Sequence, residues 1–216
     1  MTIIDHITLE VSDPTAANAF YAAAFGLGSR LRVRASEAPT TGFRGYTMSL
    51  VVAQPSIVDS FVGTAVDAGA TVLKPAAKSF WGYGGAVQDP YGTIWTFASS
   101  SKKDTGPTTR QVDDVVLLLG VAEVKATKRF YEERGLPVAK SFGSKYVEFA
   151  TTGVKLSLYS RRFAAKNAGV SPEGTGSHRI AVSSDAGTFT DPDGFEWEAA
   201  DLGAPITRAD SAGANR

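Results

Sequence analysis

The chain has 216 residues, 43% of them apolar, with 22 basic and 22 acidic side chains and no cysteine. Balanced charge leaves no basic field for counterion-driven nucleic-acid binding, and the lack of thiols excludes disulfides, thiolate catalysis and cysteine-held zinc. With no basic leader ahead of an apolar segment and no apolar run long enough to span a bilayer, a cytoplasmic protein without nucleic-acid or membrane partners is expected.

Residues 3–11 alternate loosely, as a half-buried strand does. Asp13 can cap a helix and Pro14 suits its first position. The helix then covers 16–25 and stops at Gly26. Strands are expected at 31–33 and 46–52, and a second helix at 56–67 ended by Gly69. Strands at 71–73 and 85–88 lead to the turn Asp89-Pro90-Tyr91-Gly92 and a closing strand at 93–98. The polar run 101–110, broken by Gly106-Pro107, reads as a linker. The second half gives a strand at 114–119, a helix at 124–134, and strands at 138–142, 146–150 and 154–159. A loop over 167–176 leads to strands at 179–182 and 195–199, with no room for a second helix between 183 and 188. The tail, 202–216, has little to bury and is expected to fray.

The two halves repeat. Asp-Pro-x-Gly-x-x-Trp occurs at Asp89 to Trp95 and again at Asp191 to Trp197, a spacing of 102 residues. Ile4-Asp5-His6-Ile7, Phe20-Tyr21 and Gly26-Leu27 return as Val112-Asp113-Asp114-Val115, Phe130-Tyr131 and Gly135-Leu136, in the same order, 108 to 110 residues on. An ordered set of anchors points to an internal duplication, with units at 1–100 and 111–201.

The runs IDHITLEV, FYAAAFGLG and DPYGTIW, with KRFYEERGLPV and DPDGFEWE in the second half, resemble the vicinal-oxygen-chelate superfamily of glyoxalase, bleomycin-resistance and extradiol-dioxygenase proteins. The resemblance implies an α+β fold of tandem βαβββ modules, two diverged copies forming a pseudo-dimer whose curved sheets enclose cups. It does not fix the chemistry. In metal-using members the cup holds one divalent ion, with ligands from a first-strand His, from the end of the fourth strand, from a His just before an Ile-Ala-Phe-like strand, and from the Glu of DPxGxxxE. The first half then offers His6, Thr47 and Thr96, and threonine is a poor ligand beside carboxylate or imidazole. A lone His6 also reads as a half-buried strand residue bonded to a neighbour.

By the same resemblance the second half offers Asp114 first and Glu198 last. Aligning Ile180-Ala181-Val182 puts Arg179, not His178, in the ligand slot. An arginine donates only and cannot ligate a metal. The expectation is a cluster of Arg179 with Glu198 and Asp114, either a working site with these three as catalytic candidates or an ion pair replacing a lost metal. A bulge would instead turn His178 inward and create the metal set Asp114, His178 and Glu198.

Phe80, Trp81 and Tyr83 sit on a Gly-rich segment and can stack a flat ligand at the cup mouth, or pack the loop on the core. Two functions remain open. One is a metal-free binder of a small molecule in an aromatic-lined cup, with Trp81, Tyr83, Phe80, Arg179, Glu198 and His6 around the ligand and the acids drawing a cationic or hydroxylated molecule. The other is a metal-dependent lyase, isomerase or dioxygenase acting on vicinal oxygens. A homodimer is a further option.

Overall fold

The computed structural model describes residues 1–201, so the tail expected to fray lies outside the described residues. The first half runs β1 (Thr2–Val11), α1 (Pro14–Ala24), β2 (Leu31–Ala35), β3 (Thr40–Gly42), β4 (Tyr46–Val51), α2 (Pro55–Asp67), β5 (Thr71–Ser79), β6 (Gly82–Gln88) and β7 (Ile94–Ser99). The second runs β8 (Asp114–Val121), α3 (Val124–Glu132), β9 (Val138–Ser141), β10 (Tyr146–Phe149), β11 (Thr151–Gly153), β12 (Lys155–Ser160), α4 (Arg161–Ala168), β13 (Gly174–Gly176), β14 (Ile180–Ser184), β15 (Phe189–Thr190) and β16 (Glu196–Ala199). The start of α1 is as the sequence implies: the Asp13 carboxylate accepts from the amides of Thr15 and Ala16, and Pro14 opens the helix. Such a cap is worth about 1 kcal/mol.

Both large sheets draw on both halves. Eight strands pair in the order β5-β6-β7-β4-β8-β12-β10-β9, and the antiparallel β4–β8 contact at the middle joins the halves. The other sheet runs β11-β1-β14-β16-β15, with β2 also on β1, and its β1–β14 contact joins the halves again. The tandem βαβββ order survives with complementary gaps. The opening module keeps little beyond β1, α1 and β2, and the closing module has no helix between β14 and β15. These two reduced modules share the smaller sheet, and the two fuller modules build the eight-stranded one.

The repeated anchors meet in the core. Tyr21 on α1 donates its hydroxyl to Asp89 at 2.7 Å, and Trp95 Nε1 donates to the same oxygen at 3.0 Å. The other Asp89 oxygen accepts the amides of Tyr91 and Thr93. In the second half Tyr131 donates to Asp191 at 2.5 Å, Asp191 accepts the amides of Asp193 and Phe195, and Trp197 Nε1 reaches the Tyr131 hydroxyl at 3.3 Å. Burial, reinforced by the facing aspartate, pushes both tyrosine hydroxyls up, so they stay protonated as donors. Burial also raises both carboxyl groups, against the pull of their donors.

The segment 101–110 is fastened rather than loose. Buried Gln54 accepts from the amides of Thr105 and Gly106 and donates to the carbonyls of Gly106 and Pro107. Arg110 donates to the Ala24 carbonyl and lies 4.6 Å over the Phe61 ring. Helix α4 is not among the sequence-based expectations, which left 161–166 unassigned and placed a loop from 167. The Ser160 hydroxyl caps it, accepting from the Phe163 amide, and Gly169, at φ +79°, ends it in the left-handed region.

Because each sheet mixes the halves, calorimetry should show one cooperative transition for the chain. Two separable melts would contradict this architecture. Tyr21→Phe leaves the buried Asp89 one donor short and should cost about 1–3 kcal/mol in denaturant unfolding. A raised carboxyl pKa in the folded state stabilises below the unfolded value, near 4, and that contribution is lost as pH rises through the folded value. Asp89→Asn removes this dependence, so the stability gap between the native protein and this variant should narrow as pH is raised from about 4 to about 7.

Candidate functional site

Strand register defines two cups with matching rows. In the smaller sheet His6 stands opposite Ser183, and Ser183 opposite Glu198. In the eight-stranded sheet Val116 stands opposite Ser49, and Ser49 opposite Thr96. Directly opposed residues point to one face, so the rows His6–Ser183–Glu198 and Val116–Ser49–Thr96 are counterparts. The place of His6 is therefore taken in the second copy by Val116, and Asp114 lies two residues away, opposite Val51. The strands are thus offset by 110 residues, as Tyr21 and Tyr131 are, and not by the 108 of the opening repeat.

The expected cluster of Arg179, Glu198 and Asp114 is not assembled. Asp114 belongs to the eight-stranded sheet and Glu198 to the smaller one. Arg179 turns to the loop after β2, donating from Nε and Nη2 to the Ala38 carbonyl and from Nη1 to that of Ser36. Its φ of +53° matches the left-handed backbone of Gly45, the residue that precedes β4 as Arg179 precedes β14. Both ring nitrogens of His178 are engaged by backbone carbonyls. Its Nδ1 is bonded to the Arg44 carbonyl and its Nε2 to the Asp193 carbonyl, and its ring stacks on Phe195 with centroids 4.0 Å apart.

A guanidinium does meet Glu198, but it belongs to Arg34. Its Nη1 donates to Glu198 at 2.7 Å, and its Nη2 and Nε donate to Glu10 at 2.7 and 3.2 Å. These bonds, Glu198 first, raise the basicity of Arg34 further. The sequence carried a signal: RLRVRA alternates, which sets Arg32 and Arg34 on one face of β2. His6, 7% exposed, bonds Asp5 through Nδ1 at 2.7 Å. With Glu198 held by Arg34 and His6 by Asp5, the donor set of this row does not fit a divalent ion. Val116, Ser49 and Thr96 do not fit one either. Among the described residues no three His, Cys, Asp or Glu side chains gather so as to hold a metal.

Two cavities compete as a ligand site. One, of about 390 Å³, is bordered by Glu10, His178, Arg179, Asp193 and Glu196. Most of its polar groups are already spent: Asp193 takes the Ala122 amide and the Thr127 hydroxyl, and the other partners are given above. The other, of about 310 Å³, lies in the eight-stranded cup among Thr47, Ser49, Lys74, Trp81, Thr96 and Tyr159. Here Thr47, Ser49 and Thr96 make no side-chain hydrogen bond among the described residues, though Thr47 is 2% and Ser49 9% exposed. Helix α4 fills the other end of this cup. Ala164, Ala165 and Ala168 are buried, and a Cβ on Gly120 would come within 2.9 Å of Ala164, so the glycine lets the helix sit on the sheet.

The aromatic residues divide. Trp81 borders the cavity at the hairpin tip between β5 and β6, 83% exposed, with Phe80 edge-on to it at 4.9 Å. Tyr83 also borders it, but its hydroxyl is drawn away to Asp59 on α2 at 2.8 Å. The acids expected to attract a cation, Asp114 and Glu198, do not line this cavity.

No family model matches the sequence, and no curated protein matches it. Solved structures do. The chain is similar to glyoxalase I from Zea mays, with a TM-score of 0.58 and 14% identity over 91% of this chain and 91% of that one. It is also similar to a protein from Bacillus subtilis assigned as a dioxygenase, with a TM-score of 0.53 and 16% identity over 84% of this chain and 69% of that one. The chain thus shares the fold of these two proteins. No helix among the described residues is long and apolar enough to cross a membrane.

Arg34→Ala leaves Glu10 and Glu198 without their shared cation. The partners are partly exposed, so the expected loss is about 1 kcal/mol, smaller at high salt. Thermal melts at low and high ionic strength check it. Equal losses at both would show that Arg34 acts through packing alone.

Proposed function

We propose that this chain binds a small molecule, without a metal ion, in the cup of the eight-stranded sheet. The carrying observation is the row Val116–Ser49–Thr96, which offers a methyl pair and two hydroxyls where the counterpart row offers His6 and Glu198. Hydroxyls are weak ligands for a divalent ion but good hydrogen-bond partners for a polar ligand. A cavity of about 310 Å³ suits a small, flat molecule, and its shape favours the same reading. Ala77, Gly84 and Ala98 form a low strip along the sheet, and Trp81 stands at its border. The chain's own groups do the binding: hydroxyls orient, the aromatic side chain covers the ligand, and α4 closes the far end against water.

Protein purified without chelators should carry no stoichiometric iron, manganese, zinc or nickel by mass spectrometry. Calorimetric titration with 1-naphthol, 1-naphthoate and 1-naphthylmethylammonium should detect binding of at least one, weakened by Trp81→Ala. Stoichiometric metal, or silence towards all three compounds, would overturn the proposal.

A further inference from the structure

We infer that the ligand of this cup is a planar aromatic anion, an inference that rests on the binding function proposed above. Its acidic group would meet Lys74 and the floor hydroxyls, and its ring would lie on the strip Ala77, Gly84, Ala98 beneath Trp81.

The charge inventory of the cavity gives the sign. Its lining includes Lys74 and Lys78 and no Asp or Glu. Neither lysine forms an ion pair among the described residues. A third ammonium, Lys102 Nζ, lies 5.9 Å from the centre of the Phe80 ring at the same hairpin tip. Asp59, an acid near this hairpin, is engaged by Tyr83. Both lysines are exposed, so they act as uncompensated cations at the rim, raising the local concentration of anions there.

Register gives the position. Lys74 is opposite Ala86, Ala86 is opposite Thr96, and Thr96 is opposite Ser49. The four residues form one row across four strands, so the lysine and both hydroxyls project from the same face. Pairing of β5 with β6 is irregular on either side of Lys74, between Val72 and Lys74 and again between Lys74 and Ala77. Such bulges re-aim a side chain on an edge strand. Lys74 thus reaches the row from one end while Ser49 and Thr96 wait on the floor. A carboxylate accepts from all three, which a neutral ring or an ammonium compound does not do.

The adjacent row gives the shape. Ala77 faces Gly84, and Gly84 faces Ala98. These three positions carry nothing larger than methyl, so a flat ring can lie against them; beyond the cavity lining the row continues through Val51 to Asp114. A Cβ on Gly84 would meet the Phe97 carbonyl oxygen at 2.4 Å, so the strip stays low at its centre.

The three naphthyl compounds differ chiefly in charge and so test the inference. 1-Naphthoate should bind at least about tenfold tighter than 1-naphthol, and 1-naphthylmethylammonium weakest. Lys74→Met should remove the preference for the acid, weakening 1-naphthoate by a larger factor than 1-naphthol, and Lys74→Arg should keep it. Ser49→Ala combined with Thr96→Val should weaken naphthoate in the same sense. Melting temperatures of the variants report whether the fold survives. Equal affinity for acid and alcohol, or naphthoate binding indifferent to Lys74→Met, overturns the anion while the binding function stands. Failure of all three compounds to bind overturns both.

Discussion

A buried carboxylate, held by a tyrosine from a helix and by the amides of its own turn, fixes the frame of this molecule. Asp89 and Asp191 each sit in a DPxG turn at the foot of a closing strand, and each receives a tyrosine hydroxyl from the first helix of its half. The helix and the turn belong to different sheets. α1 follows β1 of the smaller sheet, whereas Asp89 precedes β7 of the larger one. One bond therefore sets the distance between two layers, and Trp95 and Trp197 fill the space beside it. Hydrogen bonds to charged groups contribute about 1.5–3 kcal/mol each, and leaving such a buried group unpaired costs more. That asymmetry makes the turn and the helix mutually dependent, so the two motifs recur together.

Once each half is split between two sheets, the halves must exchange strands to complete them. The fuller modules meet at β4 and β8 and close a cup of eight strands. The reduced modules meet at β1 and β14 and leave a shorter wall. Polar groups then follow different courses. In the smaller sheet His6 and Glu198 are bound to Asp5 and Arg34. In the larger sheet the corresponding residues have become Val116 and Thr96, and space remains. A guanidinium, that of Arg34, meets Glu198 in one cup, and Lys74 stands at the edge of the other.

Much of this frame could be read from the residues. The repeated anchors announced the duplication because buried Asp, Tyr and Trp must keep company wherever the turn is built. The helix starts were legible from Asp13 and Pro14, since capping is a local matter. The site was harder to read. The opening repeats stand 108 residues apart whereas Phe20-Tyr21 and Phe130-Tyr131 stand 110 apart, so matching the opening repeats set Asp114, two residues short of Val116, against His6. Which arginine meets Glu198 depends on a contact across 164 positions, which no local pattern encodes. Helix α4 is short and alanine-rich, and its seat depends on Gly120, far off in sequence.

The hydroxyls of Thr47, Ser49 and Thr96 bear on what the larger cup is for. Their oxygens are not sealed off, since among the described residues only Thr40 Oγ1 and Arg44 Nη1 are buried without a partner. Val116 shows that this face accepts a β-branched apolar side chain on the same row. A hydroxyl open to a cavity can bond water there. A ligand must then return the hydrogen bonds that it displaces, which favours one rich in acceptors over a purely apolar one. The hydroxyl floor, not the cavity's size, is therefore the stronger ground for selectivity at this site.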